Sequence, residues 1–326
     1  MIDFRYHVVS LVSVFLALAV GIVLGAGPLN EGISTGITDQ VRQLTTEKNA
    51  LRAERDEALA TVDAQDAWAE AVGPALVARQ LGGRSVAVVL LPGADSSQVD
   101  ATVGQLQAAG ATVASEVTLQ EEWFAGSQTA AADRQRVAAA LADQLPTAPD
   151  ADAGTEDLLA AALAGALVTT ELAQAEEADD QGGTVLTTLS DAGLLEVQGG
   201  AGTAPTRATL ALVVGGAGDT DATDAVRSST ADAWTALLRE LDAASAGAVL
   251  AGPEESAAQA GPVAVLRSDD DLAGSVSGVD DLDSPIGRVN VVLALRQQLT
   301  GGAGQYGTAD SATGVSPPLP ATPSAS

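Results

Sequence analysis

The chain has 326 residues, room for one sizeable domain with appendages or two small domains. Its formal charge of −28 repels phosphate backbones, which excludes nucleic acid as a partner. The absence of cysteine excludes disulfides, thiolate zinc sites, iron–sulfur clusters and cysteine nucleophiles.

Residues 8–30 carry no charged side chain, and their core reads VVSLVSVFLALAVGIVLGA. As a helix this run is long enough for the ~30 Å of bilayer hydrocarbon. A cleaved signal peptide is the competing reading. Against it, Asp3 stands beside Arg5 in the leader, the apolar run is long, and Pro28 follows the best small-residue cut. The expectation is an uncleaved transmembrane helix within residues 1–30, with the lipid bilayer as its partner. Arg5 and the α-amino group precede the run, whereas Glu31 and Asp39 are the only charges between it and Gln40. That asymmetry predicts a single-pass topology with a cytoplasmic N-terminus and an extracytoplasmic remainder. Ser13, Ala17, Gly21 and Gly25 recur every four residues, a spacing that lets two membrane helices approach closely; an Ala/Gly-rich chain also produces such spacing by composition.

Residues 31–73 are expected to form a coiled-coil stalk, helical from about 33 to 72 and closed by Gly73-Pro74. Ile37, Leu44, Leu51, Ala58, Gln65 and Val72 fall at heptad position d; Val41, Lys48, Arg55, Val62 and Ala69 fall at a. Eight of these eleven seam positions are apolar, which predicts self-association or a partner helix. Lys48 and Arg55 weaken the seam while fixing its register. The alternative is one long amphipathic helix packed on its own domain. A stalk of that length would hold the downstream domain ~50–60 Å from the bilayer.

Residues 82–307 read as a doubly wound, mostly parallel α/β domain. The run 85–91 (SVAVVLL) is a fully buried strand, followed by a turn at 92–95, a helix over 97–109 and a strand over 112–119. Helices are expected over 130–144, 156–178, 184–195 and 230–244, and strands over 209–214, 247–251 and 262–266. Asp283-Ser284-Pro285 predicts the start of a last helix ending near residue 299. Residues 308–326, rich in Pro, Ser, Thr and Ala, read as a disordered tail.

Three loops lie beyond predicted strand ends, where open α/β sheets bind ligands: 92–95, 215–218 (GGAG) and 252–255 (GPEE). The glycine group lacks both a G-x-G-x-x-G spacing and a phosphate-binding lysine, so it reads as tight strand-to-helix turns rather than as a small-ligand site. The only histidine is His7 and the only lysine is Lys48, both outside the domain. No catalytic residue, cofactor site or metal site is assigned, and the chain reads as a non-enzyme. Asp269-Asp270-Asp271 and Asp280-Asp281-Asp283 could hold a hard cation weakly, but read better as solvated turns and helix N-terminal charge.

The opening MIDFRYHVVSLVSVFLALAVGIVLGAGPL and the block VDDLDSPIGRVNVVLALRQQLTGGAGQYG at 279–307 resemble the start and the C-terminal block of the MctB family of actinobacterial envelope proteins. The likeness runs through nearly the whole chain to Gly307. It implies a role in copper homeostasis, by efflux or by permeability of the outer envelope layer. It brings no copper ligand to any position: Cu(I) favours Cys and Met and Cu(II) favours His, and Met1 and His7 are the only such residues. The many alternating strands and interfacial aromatics of a membrane β-barrel are not visible either. Two further readings stand beside it: a scaffold presenting an acidic domain to a cell-wall or division protein, and a small-ligand-binding α/β domain.

Overall fold

The computed structural model describes residues 4–25, 29–142, 153–175, 177–199 and 206–319, with the backbone alone over 29–38. The chain divides into two compact units, Met1–Gln65 and Asp66–Ser326.

The first unit is helical. Helix α1, Phe4–Gly25, has a mean hydropathy of 2.7 over its most apolar window and buries no residue. It is the one helix among the described residues long and apolar enough to cross a membrane. At 1.5 Å per residue it spans about 33 Å. The Ser13 hydroxyl donates to the Val9 carbonyl at 2.8 Å, so its polar group is satisfied within the helix. Helix α2, Leu29–Val77, continues through the unit boundary.

In the second unit the order is β1 (Ser85–Leu90), α3 (Ser96–Ala108), β2 (Thr112–Leu119), α4 (Glu121–Phe124), α5 (Gln128–Leu141), α6 (Thr155–Leu167), α7 (Asp180–Asp191), β3 (Leu195–Val197) and β4 (Leu210–Val214). Next come α8 (Asp224–Ala244), β5 (Ala248–Ala251), a 3-10 turn over Glu254–Ala257, α9 (Pro262–Ser268), α10 (Asp270–Ser275), β6 (Ser277–Val279), α11 (Pro285–Gln298) and β7 (Gln305–Tyr306). The described strands form one sheet in the order β3-β2-β1-β4-β5-β6-β7, parallel except for β3.

Alternation along the central strands explains their unbroken apolar runs. Val86, Val88, Leu210, Leu212, Val249 and Ala251 face one core, where the end of α2, α3 and α11 cover the sheet. Ala87, Val89, Ala211, Val213, Ala248 and Leu250 face the other, under α4 to α10. Successive strand residues point to opposite faces, so a sheet buried on both sides needs apolar residues at every position. Trp123, Phe124 and Trp234 gather at the second face, Phe124 and Trp234 edge to face at 6.3 Å. Arg134, also buried there, donates to the carbonyls of Glu122 and Ala125 and pairs with Glu156 at 3.2 Å.

Several boundaries differ from those the sequence suggests. Gly73-Pro74 does not end α2, which runs on to Val77. A Cβ at Gly73 would lie 3.0 Å from Gln105 Nε2 and 3.2 Å from Val289 Cγ2, so this stretch presses against α3 and α11. Ala69, Val77 and Leu81 are buried, and the folded unit therefore begins before residue 82. The segment at 262–266 is helical rather than extended, because Gly261 and Pro262 supply a helix entry that a short apolar run cannot override. Helix α6 stops at Leu167, where Val168 and Thr169 turn to pair with Ala208. Asp179 caps α7 earlier than expected, and Leu195 starts the antiparallel edge strand β3. Part of the region read as a disordered tail packs on the domain: Gly307 N donates to the Gly314 carbonyl at 3.0 Å, and Pro317 is buried. Residues 320–326 lie outside the described set.

Leu81, fully buried between α2 and β1, tests the earlier start of the folded unit. Leu81→Ala is expected to cost about 2–5 kcal/mol in equilibrium unfolding of the full chain, the range for buried Leu-to-Ala truncations.

Candidate functional site

The strand order reverses direction between β1 and β4, which makes the carboxyl edge there the expected ligand crevice of an open α/β sheet. The loops meet each other instead. A Cβ at Gly216 would lie 2.2 Å from the Gly93 carbonyl oxygen, so only glycine allows the β1 and β4 loops to touch backbone to backbone. The amides of Leu91, Gly215 and Gly252 donate to the carbonyls of Val214, Ala251 and Val279 at 2.8, 2.8 and 2.9 Å. Amides that could cradle a phosphate thus extend the sheet ladder. Glu254 and Glu255 are exposed on the 3-10 turn, and Asp95 caps α3, its carboxylate accepting from the Ser97 and Gln98 amides.

The polar centre of the domain lies one strand further, at the end of β6. Asp280 is fully buried. Its Oδ1 accepts from the Thr308 and Ala309 amides at 2.7 and 3.2 Å, and its Oδ2 pairs with Arg267 Nη1 at 2.7 Å. Arg267 also donates to the Tyr306 carbonyl at 3.0 Å and to Ser311 Oγ at 2.9 Å. One ion pair thereby ties α9, β6, β7 and residues 308–311 together. Asp281, 4% exposed, faces the start of α11. Asn290 Nδ2 donates to the Val315 carbonyl at 2.9 Å and to Asp281 Oδ2 at 3.4 Å. A Cβ at Gly287 would lie 1.7 Å from the Asp281 carbonyl oxygen, so glycine is required where α11 crosses the strand end. Asp281 Oδ1 accepts no hydrogen bond from another described residue. Burial, with the Asp280 charge adding to it, raises the Asp281 carboxyl to about 6, although the Asn290 contact opposes the shift.

The solvated-turn reading therefore fails for Asp280 and Asp281, which are buried. It holds for Asp270, Asp271 and Asp283, which are exposed, and Asp269 caps α10 by accepting from the Asp271 and Leu272 amides at 3.1 Å each. No spacing rule links Arg267 to an aspartate thirteen positions later, and the strand between them is only the three residues SGV. Chemically the site is a clamp. Its oxygens are hard donors that do not suit copper, and those of Asp280 are already committed to a guanidinium and backbone amides. Among the described residues no group of three or more His, Cys, Asp or Glu is placed to hold a metal.

The remaining expected positions lie in the first unit. Ser13, Ala17, Gly21 and Gly25 are exposed on α1, with open space around Gly21 and Gly25. On α2, Val41, Leu44, Leu51 and Val62 are 56%, 63%, 59% and 50% exposed, and Lys48, Arg55 and Ala58 are exposed with them. The Ile37 side chain lies outside the described set. Ala69, placed in the same seam, is buried in the second unit.

The clamp can be tested at both aspartates. Arg267→Ala leaves Asp280 buried without its cation and is expected to cost about 3–5 kcal/mol, measured by thermal or denaturant unfolding. For Asp281, a folded pKa above the unfolded one means that its contribution is most favourable near pH 4 and is lost as pH rises to about 6. The loss approaches about 3 kcal/mol at neutral pH. Asp281→Asn should raise stability above pH 6 and flatten the pH profile between 4 and 6; an unchanged profile would refute the assignment.

The MctB family model, described as "Copper transport outer membrane protein, MctB", matches residues 1–317. A "Copper transporter MctB" of Mycobacterium bovis is 34% identical over 324 residues, covering 97% of this chain and 99% of the relative. The protein of the same name from Mycobacterium tuberculosis gives the same values. That of Mycobacterium leprae is 32% identical over 329 residues, covering 98% of this chain and 100% of the relative. The family takes its description from transport, not from an enzyme class. The apolar opening helix, the clamp of Arg267, Asp280 and residues 308–311, and the rest of the chain to residue 317 lie within a single family match: the chain belongs to the MctB family.

Proposed function

We propose that this chain is a membrane-anchored, non-catalytic component of envelope copper transport or homeostasis. The observation that carries the proposal is the family match over residues 1–317. Helix α1 serves as the anchor, and Arg5 in its first turn, against the absence of Lys or Arg between its end and Gln40, supports a cytoplasmic N-terminus with the folded unit outside. The contribution to copper traffic is indirect, because the chain offers neither cysteine nor a cluster of methionine or histidine to hold the ion.

A second reading rests on the exposed apolar stripe of α2. The helix acts as a coiled-coil strand, pairing with its own kind or with a partner helix, while Ser13, Ala17, Gly21 and Gly25 allow close packing of α1. In that form the protein is a scaffold presenting an acidic α/β domain to a cell-wall or division protein.

The test is deletion of the gene followed by copper measurement. Cells lacking the protein should accumulate copper and tolerate it less, with full rescue by the intact chain; an unaltered copper response removes the transport reading. The purified protein, titrated with Cu(I) against a chromophoric chelator, should fail to compete. Tight binding by the isolated chain would overturn the indirect role.

A further inference from the structure

Residues 41–62 of α2 are exposed along the helix, its apolar residues among them. A depression along this stretch is lined by Leu44, Glu47, Lys48, Leu51, Arg52 and Arg55. In heptad terms Leu44, Glu47, Lys48 and Leu51 are d, g, a and d, the four residues that make the hole for a facing a residue in a parallel coiled coil. The two charged seam residues obey one rule. Lys48 and Arg55 sit at a, and each is immediately preceded by a glutamate at g, Glu47 and Glu54. Arg52 sits at e, five residues after Glu47.

We propose that α2 pairs through residues 41–62 with a second copy of this chain as a parallel, in-register, two-stranded coiled coil whose orientation is set by Glu47 and Glu54. In that register the Lys48 of one chain enters a hole whose rim carries the other chain's Glu47, and Arg55 meets Glu54 in the same way. Glu47 also faces Arg52 across the g–e′ edge, twice per dimer by symmetry. The like charges brought together at each a layer are therefore flanked by opposite charges from the facing helix. An antiparallel pair sets g rows against g rows, which brings the glutamates of the two chains together and loses both contacts. The inference deepens the coiled-coil reading above, and two copies anchored by α1 in one bilayer would also enter α2 from the same side.

The absence of cysteine from the chain makes the test direct. Full-length Leu51→Cys protein in membranes should oxidise to a disulfide dimer, whereas Ala53→Cys, on the outer face of the helix, should yield several-fold less. Adding Glu47→Lys and Glu54→Lys to Leu51→Cys should cut the dimer several-fold. Further reversal of Lys48, Arg52 and Arg55 to Glu should restore it, an outcome that a mere folding defect would not give. When Val41→Cys and Ala58→Cys chains are mixed, the parallel register gives 41–41 and 58–58 products. A predominant 41–58 product, an a–d′ pair, overturns the parallel orientation while leaving a coiled coil, and equal cross-linking of Leu51→Cys and Ala53→Cys overturns the coiled coil itself. Neither outcome bears on copper accumulation, which tests the transport reading separately.

Discussion

The folded unit depends on burying the central strands β1, β4 and β5 on both faces. Their side chains alternate between two apolar cores, and covering both cores takes helices on each side of the sheet. Parallel strands joined by such helices deliver all their carboxyl ends to one edge, the place where related architectures hold ligands. Here that edge is sealed by its own backbone. The close approach at Gly216 brings the β1 and β4 loops together backbone to backbone, and ladder hydrogen bonds occupy the amides of Leu91, Gly215 and Gly252. Polar side chains are displaced toward β6, where Asp280 and Arg267 neutralise one another and fasten residues 308–311 across the end of the sheet.

Sequence periodicity revealed the elements whose signal is local. The apolar helix, the long polar helix after it, the strand at 85–90, the strand at 210–214 and the capped start of α11 each carry a run or a cap readable within a few residues. What it concealed depends on partners distant along the chain. The three-residue β6 and two-residue β7 have no pattern of their own and become strands only because β5 offers an edge to extend. The 262–266 run is apolar enough for either a strand or a helix, and the Gly-Pro entry decides between them. Composition made residues 308–319 look disordered, yet their amides and carbonyls find Asp280, Asn290 and Gln305. The clamp was illegible for the same reason, since consecutive aspartates normally indicate solvent and only tertiary contact with Arg267 reverses that meaning.

Family membership and donor chemistry constrain each other. A protein that holds Cu(I) during passage needs thiolate or thioether sulfur, and one that holds Cu(II) needs imidazole. This chain has a single methionine, a single histidine and no cysteine. Among the described residues, the fully buried Asp280 is spent on a guanidinium and on backbone amides. The indirect role proposed above would work through surfaces that recruit or organise other molecules, and the place to look for those surfaces is where apolar side chains are exposed.

Two such places remain, and they differ in kind. Helix α1 is apolar around its whole circumference, and no single protein face can cover it; lipid can, because it surrounds the helix uniformly. Helix α2 carries a heptad-spaced apolar stripe, interrupted by Lys48 and Arg55, on a mostly polar helix, which suits a second helix and not a bilayer. The stripe ends where Ala69 and Val77 are buried within the folded unit. One continuous helix thus changes its apolar partner along its length, from a seam left open at residues 41–62 to the chain's own core. On the coiled-coil reading proposed above, the stripe at 41–62 would be completed by a second helix, as the last turns of α2 are by the core.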